Sequence, residues 1–332
     1  MTRDLLTSDG ASSRRFDFTL VGDANLDLLL YGLPEELPTE QELLADGMAL
    51  RLGGSGAITA HNLAALGNSV GFISTVAGDD PGRLCKQELI SAGVDLSRCV
   101  DQKNSADVQT GVTVHLQHQV HRHMFTYAGA TFRLSADDLD LNYLSSGRHF
   151  HLSSYYLQRA LTPQIPELFA TLKEAGLTIS LDTNDDPSQQ WDRCILDALP
   201  YVDVLLPNER EACLLSGKDK LDDAIAMLRS LVPMLVIKRG AAGATAYTAN
   251  EFWCASAPSV QVIDAIGAGD SFNAGFLHGW IRGWPVDEAL RYGNLTGGWS
   301  TTGYGGTMAF RGQEKLTALR AQWEKMRSGV VR

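Results

Sequence analysis

From residue 147 onward the sequence alternates strand-like and helix-like segments, and this alternation restricts the fold more than any other feature. Short apolar runs at 149–152, 178–182, 202–206, 234–238 and 244–247 are separated by helical apolar spacing near 163–175, 188–198, 208–216 and 220–231. Further helical patterns follow at 270–283, 286–302 and 313–328. Strands joined through helices lie parallel, because the helix carries the chain back to the starting edge of the sheet. A parallel sheet is then covered on both faces. The front half reads the same way. A strand at 18–22 is followed by a helix over 57–66 closed by Gly67, a buried strand over 70–76, and a helix over 82–92 stopped by Gly93. The expected class is α/β with a mostly parallel central sheet.

Two segments depart from this rhythm. Residues 28–52 contain Pro34 and Pro38 and show no helical period, whereas Val108, Thr110, Val112, Val114 and Leu116 alternate as in a hairpin. Two strand-like excursions far apart in sequence are expected to pair as one small sheet, a discontinuous lid of about 28–52 and 108–129. Such a lid would hang over the crevice at the carboxyl ends of the parallel strands. The remainder of 16–332 is expected to form one domain behind a polar, mobile tail at 1–15. An exposed lid edge would favour pairing of two copies.

Composition mainly excludes. Hydrophobic residues make up 44% and charged residues 20%, an ordinary globular balance. A net charge of -11 argues against sequence-independent nucleic-acid binding, which needs clustered Lys and Arg. No window approaches 18 apolar residues, and residues 1–15 lack the apolar stretch of a secretory signal, so neither a membrane span nor export is expected. Cys85, Cys99, Cys194, Cys213 and Cys254 form no C-x-x-C pair and read as buried, reduced thiols of a cytoplasmic protein.

The chemistry gathers at Asp264-Ala265-Ile266-Gly267-Ala268-Gly269-Asp270-Ser271-Phe272-Asn273-Ala274-Gly275. A strand-like run at 260–263 enters it, and Phe272, Phe276, Leu277 and Trp280 leave it at helical spacing. Small residues at a strand-to-helix junction leave backbone N–H groups uncovered, which makes an anion site. Asp270 stands at its edge. A carboxylate beside a hole for negative charge suits removal of a proton from an alcohol while a phosphoryl group is stabilised. Two commoner nucleotide motifs fail. Gly217-Lys218 precedes Asp219 and has no glycine five positions earlier, so there is no G-x-x-x-x-G-K-[ST]. Gly54-Ser55-Gly56 comes about thirty residues after the first strand and lacks the third glycine of G-x-G-x-x-G.

Four motifs stand in order: Gly53-Gly54-Ser55-Gly56-Ala57 with Asn62 to Gly67; Leu206-Pro207-Asn208-Glu209-Arg210-Glu211; Lys238-Arg239-Gly240-Ala241-Ala242-Gly243; and the Gly267 segment. In this order and spacing the chain resembles the ribokinase-like (PfkB-type) carbohydrate and nucleoside kinases over about residues 18–310. The resemblance implies a three-layer α/β/α fold with a small β-sheet lid, and ATP and Mg²⁺ as cofactors. It implies that Asp270 is the base, that Gly267, Ala268 and Gly269 form the anion hole, and that Asn208 and Glu211 order Mg²⁺ through water. Gly240 and Gly243 would approach ATP, Lys238 or Arg239 would reach a phosphate, and Asn294 would line the adenine pocket. Gly22-Asp23-Ala24-Asn25-Leu26-Asp27 resembles the family's G-x-x-N-x-D, with Asn25 and Asp27 bonding sugar hydroxyls and Gly53 and Gly54 letting the backbone approach the sugar. Asp182-Thr183-Asn184-Asp185 resembles a D-x-N element near the phosphates. Asp264, Ile266 and Ser300, with Gly303 or Gly305, are candidates for a K⁺ loop.

The sequence departs from the family at Ile58 and Thr131, where Asn is frequent. His115, His118, His121, Arg122 and His123 crowd the lid segment, read as lid surface, as a contact to an acidic or phosphorylated acceptor, or, least of all, as a metal site. The expected activity is transfer of the γ-phosphoryl of ATP to a hydroxymethyl group of a small sugar or sugar acid. A nucleoside kinase, with Phe125 and Phe132 flanking a base, and a non-catalytic sugar-binding regulator are the alternatives.

Overall fold

A computed structural model describes residues 14–102, 108–118 and 122–328. Residues 1–13 of the expected tail, and His121, lie outside the described residues. Arg14 and Arg15 are anchored: Arg14 donates to the Ala175 carbonyl at 2.7 Å, and Arg15 pairs with Asp95 at 2.5 Å.

The large sheet runs, edge to edge, β14 (Phe252–Ala255), β13 (Ala244–Tyr247), β12 (Met234–Lys238), β11 (Val204–Leu205), β10 (Thr178–Asp182), β9 (Gly147–Ser153), β1 (Phe16–Val21) and β4 (Val70–Ile73). From β12 to β4 every pairing is parallel; β13 and β14 add an antiparallel edge. Alternate strand residues feed two cores. Val21, Phe150, Leu152, Ile179, Leu181, Leu205 and Leu235 pack towards the helices Ile165–Glu174, Glu209–Ser216 and Leu221–Leu228. Phe18, Leu20, Val204, Leu206 and Val236 pack towards Ser55–Ala65, Asp80–Ser91, Ala268–Trp280 and Val286–Ser300. Burial on both faces explains why these strands read as apolar runs rather than alternating ones. This is the expected three-layer architecture.

A four-stranded sheet stands apart, ordered β3 (Gly47–Gly53), β2 (Asn25–Tyr31), β7 (Gly111–Gln117) and β8 (Arg122–Tyr127). Its strands come from the two excursions of the sequence. β2 and β7 pair in parallel although more than eighty residues separate them, and β8 folds back on β7. Asn25, Asp27, Leu29 and Tyr31 share the face turned to the large domain. A third pair, β5 (Thr75–Ala77) with β6 (Val100–Gln102), completes the strands.

Five expectations change. The strand read over 70–76 divides into β4 and β5, and β14 was not foreseen. The run at 260–263 is no strand: it pairs with no strand among the described residues, Val262 and Ile263 are exposed, and the Ile263 and Asp264 amides donate to the Thr301 carbonyl at 2.7 and 3.1 Å. The helix read over 188–198 is absent. Pro187 precedes it, the Asp186 carboxylate gathers the amides of Ser188, Gln190 and Trp191 into a tight turn, and Gln189 and Trp191 take φ 55° and 48°, which a right-handed helix does not allow. Only 3₁₀ turns at Arg193–Asp197 and Leu199–Tyr201 remain. Of the cysteines, Cys85 is buried, but Cys194 and Cys254 are exposed; all five are free thiols.

Candidate active site

The start of the Ala268–Trp280 helix sits where the large sheet and the small sheet meet. Gly267, its N-cap, takes φ 71°, and a Cβ there would stand 2.5 Å from the Gly306 Cα, so only glycine fits. No side chain caps this helix. The Ala268 amide donates to the Ala265 carbonyl at 3.3 Å, whereas the amides of Gly269 and Asp270 have no backbone partner among the described residues. Of the three residues expected to form the anion hole, Gly269 therefore offers an open amide. Gly267 shapes the turn, and Asp270 supplies a further amide.

Asp270 is buried on the first turn. Burial, then the charges of Asp182 and Asp23, push its carboxyl up to about 7, although Lys238 pulls it back. Lys238 ends β12, and its Nζ donates to Asp182 Oδ2 at 2.9 Å. The same Nζ lies 3.6 Å from where a Gly269 Cβ would be, so the ammonium arches over the helix start. Burial opposes its charge, but Asp182, Glu211 and Asp270 outweigh burial and hold it protonated. Arg239, the other expected phosphate contact, turns away to an exposed pair with Glu209 at 2.8 Å. Asp182 also accepts from Asn273 Nδ2.

Asn208 and Glu211 form a capping box at the start of the Glu209–Ser216 helix. The Asn208 amide and Nδ2 donate to the two Glu211 oxygens at 2.8 and 2.6 Å, and the Glu211 amide donates back to Asn208 Oδ1 at 2.8 Å. Burial pushes Glu211 up to about 7, with Lys238 opposing. A buried carboxylate raised this far gains from a nearby cation, so these residues fit a hydrated divalent ion.

On the acceptor side Asp27 and Asn25 lie on the inner face of the small sheet, both buried. Asn25 Nδ2 donates to Thr113 Oγ1 at 2.8 Å and to Asp27 Oδ1 at 3.2 Å, while Asn25 Oδ1 is buried without a hydrogen-bond partner among the described residues. Gly53 has no room for a side chain, because a Cβ would stand 2.1 Å from Asp27 Oδ1. Gly54, at φ 87°, faces Asn25 Oδ1 and the Asp23 carbonyl. Thr131 stands beside Gly111 and close to Asn25. Ile58 packs on Gly267 and Gly306, so it supports the anion loop rather than offering a polar contact. His115 faces Asp27, with Nε2 at 3.5 Å from Oδ1. His118 donates from Nδ1 to the Pro34 carbonyl at 2.6 Å and meets His123 at 2.7 Å, away from that face. Phe125 is 57% exposed on the outer face and Phe132 carries Arg159 at 4.2 Å, so the two do not flank a slot.

Asp264 ties the two sheets. Its Oδ1 accepts from the Ile266 amide at 2.9 Å and from Gln117 at 3.4 Å, and its Oδ2 accepts from the Gly305 amide at 2.9 Å and from the Tyr31 hydroxyl at 3.3 Å. Ser300, fully buried, donates to the Gly297 carbonyl. Gly240 lies in an open, exposed turn; Gly243, at φ 95°, is forced by the Ala255 carbonyl 2.0 Å from its would-be Cβ. Asn294 is buried and donates to the Ala255 carbonyl at 2.7 Å, pinning the chain beside that turn.

Sequence reasoning gave no role to Asp23, Asn62 and Asn273. Asp23 accepts from the Gly56 amide at 3.1 Å and from Ser154 Oγ at 2.7 Å, locking the turn below the acceptor site. Asn62 donates to Ser271 Oγ at 2.9 Å and to the Gly306 carbonyl at 3.0 Å, clamping the anion loop. Asn273 lies one helical turn beyond Asp270, a spacing that could have flagged it.

Residues 17–310 match the family described as pfkB family carbohydrate kinase. The chain is 33% identical over 254 residues to the ATP-dependent ribose-1-phosphate kinase of Halopiger xanaduensis, covering 74% of this chain and 78% of that one. It is 31% identical over 320 residues to the fructokinase of Salmonella typhimurium, covering 90% and 97%. The structure of aminoimidazole riboside kinase from Salmonella enterica, complexed with aminoimidazole riboside and an ATP analog, superimposes with a TM-score of 0.73 at 27% identity, over 91% of this chain and 99% of that one.

Proposed function

The chain belongs to the pfkB family of carbohydrate kinases, and from that membership we propose a site-by-site mechanism of phosphoryl transfer from ATP to a hydroxymethyl group of a small sugar. The observation that carries it is a buried carboxyl, Asp270, pushed up to about 7 beside two helix amides with no backbone partner among the described residues and under the Lys238 ammonium. A base is most effective when its pKa lies near the working pH. Charge developing on the transferred group meets amides and an ammonium that are already fixed in place.

Asn25, Asp27 and the bare backbone of Gly53 and Gly54 hold the sugar on the inner face of the small sheet, which acts as a lid. Asp270 takes the proton of the acceptor hydroxyl. The Gly269 and Asp270 amides and Lys238 receive the phosphoryl group, with Gly240, Gly243 and Asn294 shaping the nucleotide side. Mg²⁺, held through water by Asn208 and Glu211, would offset the charge of the phosphates. The Asp264 carboxylate already accepts from four donors, so K⁺ at this loop would rest on backbone carbonyls near Ile266, Ser300 and Gly305. A second copy covers the outer face of the small sheet.

ADP release measured over D-fructose, D-ribose, sugar acids and nucleosides tests the reading. A sugar-dependent rate at least a hundredfold above the ATP-alone rate supports it. Turnover confined to nucleosides, or no turnover with any member, overturns it.

A further inference from the structure

His115 is the least satisfied group on the inner face of the small sheet. It is 7% exposed, it faces a 5% exposed Asp27, and neither ring nitrogen has a hydrogen-bond partner among the described residues. Its Nε2 lies 3.5 Å from Asp27 Oδ1, which falls short of a well-formed hydrogen bond. Buried polar atoms are rarely left unmatched, and where they cluster they point to an absent partner. The neighbouring Asn25 Oδ1 is orphaned in the same way. One face thus presents an unmatched amide oxygen, a carboxylate and an unmatched imidazole side by side.

Strand register separates His115 from the other lid histidines. It stands opposite Leu29 and Met124, and its neighbour Leu116 stands opposite His123, so His115 turns in and His123 turns out. The occupant that matches this set carries adjacent hydroxyls, because a hydroxyl both donates to Asp27 or Asn25 and accepts from an imidazole N–H. An anionic group fits poorly: Asp27 is in contact, and Asp23 and Asp264 reinforce its field. Arg51, across the register from Asp27, directs its guanidinium to the Tyr304 and Leu50 carbonyls.

We propose that His115 is a specificity-determining residue of the acceptor site, steadying Asp27 through Nε2 and bonding a hydroxyl of an uncharged polyol through Nδ1. This rests on the inner face of the small sheet being the acceptor site. The two nitrogens can be tested apart, since glutamine reaches as far as Nε2 and asparagine only as far as Nδ1. On whichever of D-fructose, D-ribose and D-tagatose the wild type phosphorylates fastest, H115Q is expected to raise the acceptor KM on the order of tenfold or more. Its kcat and its KM for ATP should stay within about threefold, and H115N should recover part of the loss. Equal kinetics in all three proteins, or parallel losses in both KM values, overturn the role.

A second readout needs no turnover. In protein labelled with ¹³C-histidine, the His115 ring signal, assigned by its loss in H115Q, should move on addition of one of the three sugars. If ATP is consumed and the signal stays still, His115 is excluded and the kinase mechanism stands. If the signal moves and no ATP is consumed, the polyol contact stands and the mechanism falls. Movement with gluconate or ribose 5-phosphate but with none of the uncharged sugars overturns the polyol assignment.

Discussion

At the scale of single residues the site is a contest among carboxylates for one ammonium. Asp182, Glu211 and Asp270 all face Lys238, and burial lifts both Asp270 and Glu211 to about 7. Replacing Asp270 with Asn should lower turnover by about 10²–10⁴ while leaving sugar and ATP binding nearly intact. It should also stabilise the ligand-free protein. A carboxyl raised from 3.8 to about 7 favours folding only while protonated, so its contribution is full below 3.8 and is lost as pH rises through about 7. The variant's advantage in unfolding free energy should therefore widen by about 2 kcal/mol between pH 5.5 and pH 8. Denaturant titrations at both pH values read this, and a constant gap would mean Asp270 is not raised. Lys238→Met removes the positive charge that holds Asp270 down and leaves only the weaker pull of the Ser55 hydroxyl. The acid limb of kcat/KM should then move up by about one pH unit, with activity partly recovered at higher pH. An unmoved limb would separate Lys238 from the base. The choice between Lys238 and Arg239 was legible in principle: strand parity puts 234, 236 and 238 on the face of the Ala268–Trp280 helix. Asp23 and Asn62 were not, because what distinguishes them is a partner far along the chain.

At the scale of elements, the loop from Asp264 to Gly267 hangs between two sheets. Ile266 packs with Leu29 and Ala49 under the small sheet, and Tyr31 and Gln117 reach Asp264 from the same side. Any movement of the small sheet would therefore be passed to the loop from Asp264 to Gly267. Gly267→Ala tests the cradle directly. A methyl group would require φ 71° and a 2.5 Å approach to Gly306, a strain on the order of 1–2 kcal/mol or more. The expected result is a lower unfolding midpoint and a kcat reduced on the order of a hundredfold, with the sugar KM least affected. A variant with wild-type midpoint and kcat would show that the turn has other ways to close. This helix start was readable because small residues before an apolar helical period leave few alternatives. The run at 260–263 misled because apolar residues without a neighbouring strand have nothing to pair with. The stretch at 188–198 misled because one side chain, Asp186, winds its first residues into a tight turn in which Gln189 and Trp191 take left-handed φ. Periodicity reports which side chains seek burial, and it is silent on competitors for the backbone.

At the scale of the whole molecule, the small sheet is unevenly dressed. Its inner face buries Asn25, Asp27, Leu29 and His115, but its outer face exposes Met48 at 62%, Leu50 at 44%, Phe125 at 57% and Tyr127 at 51%, with Leu28 and Leu30 half-covered between them. β8 is exposed along its whole length and forms the sheet edge. Contiguous apolar surface of this kind marks an interface, and an open edge strand is protected by pairing. A second copy of the chain presents the same face, so a two-fold arrangement closes both deficits at once. A net charge of -11 would keep such pairs apart from one another without masking the patch itself. Sedimentation equilibrium at micromolar concentration should give twice the mass of the chain. Met48→Glu combined with Phe125→Glu should give the monomer mass, since two carboxylates would be buried against apolar neighbours in the pair. Both side chains are exposed in one chain, so the variant should keep the circular dichroism and unfolding midpoint of an intact fold. Because the small sheet also carries Asp27, the monomer should show a raised sugar KM with the KM for ATP unchanged. A wild-type monomer, or a double variant that still dimerises, would place the interface elsewhere.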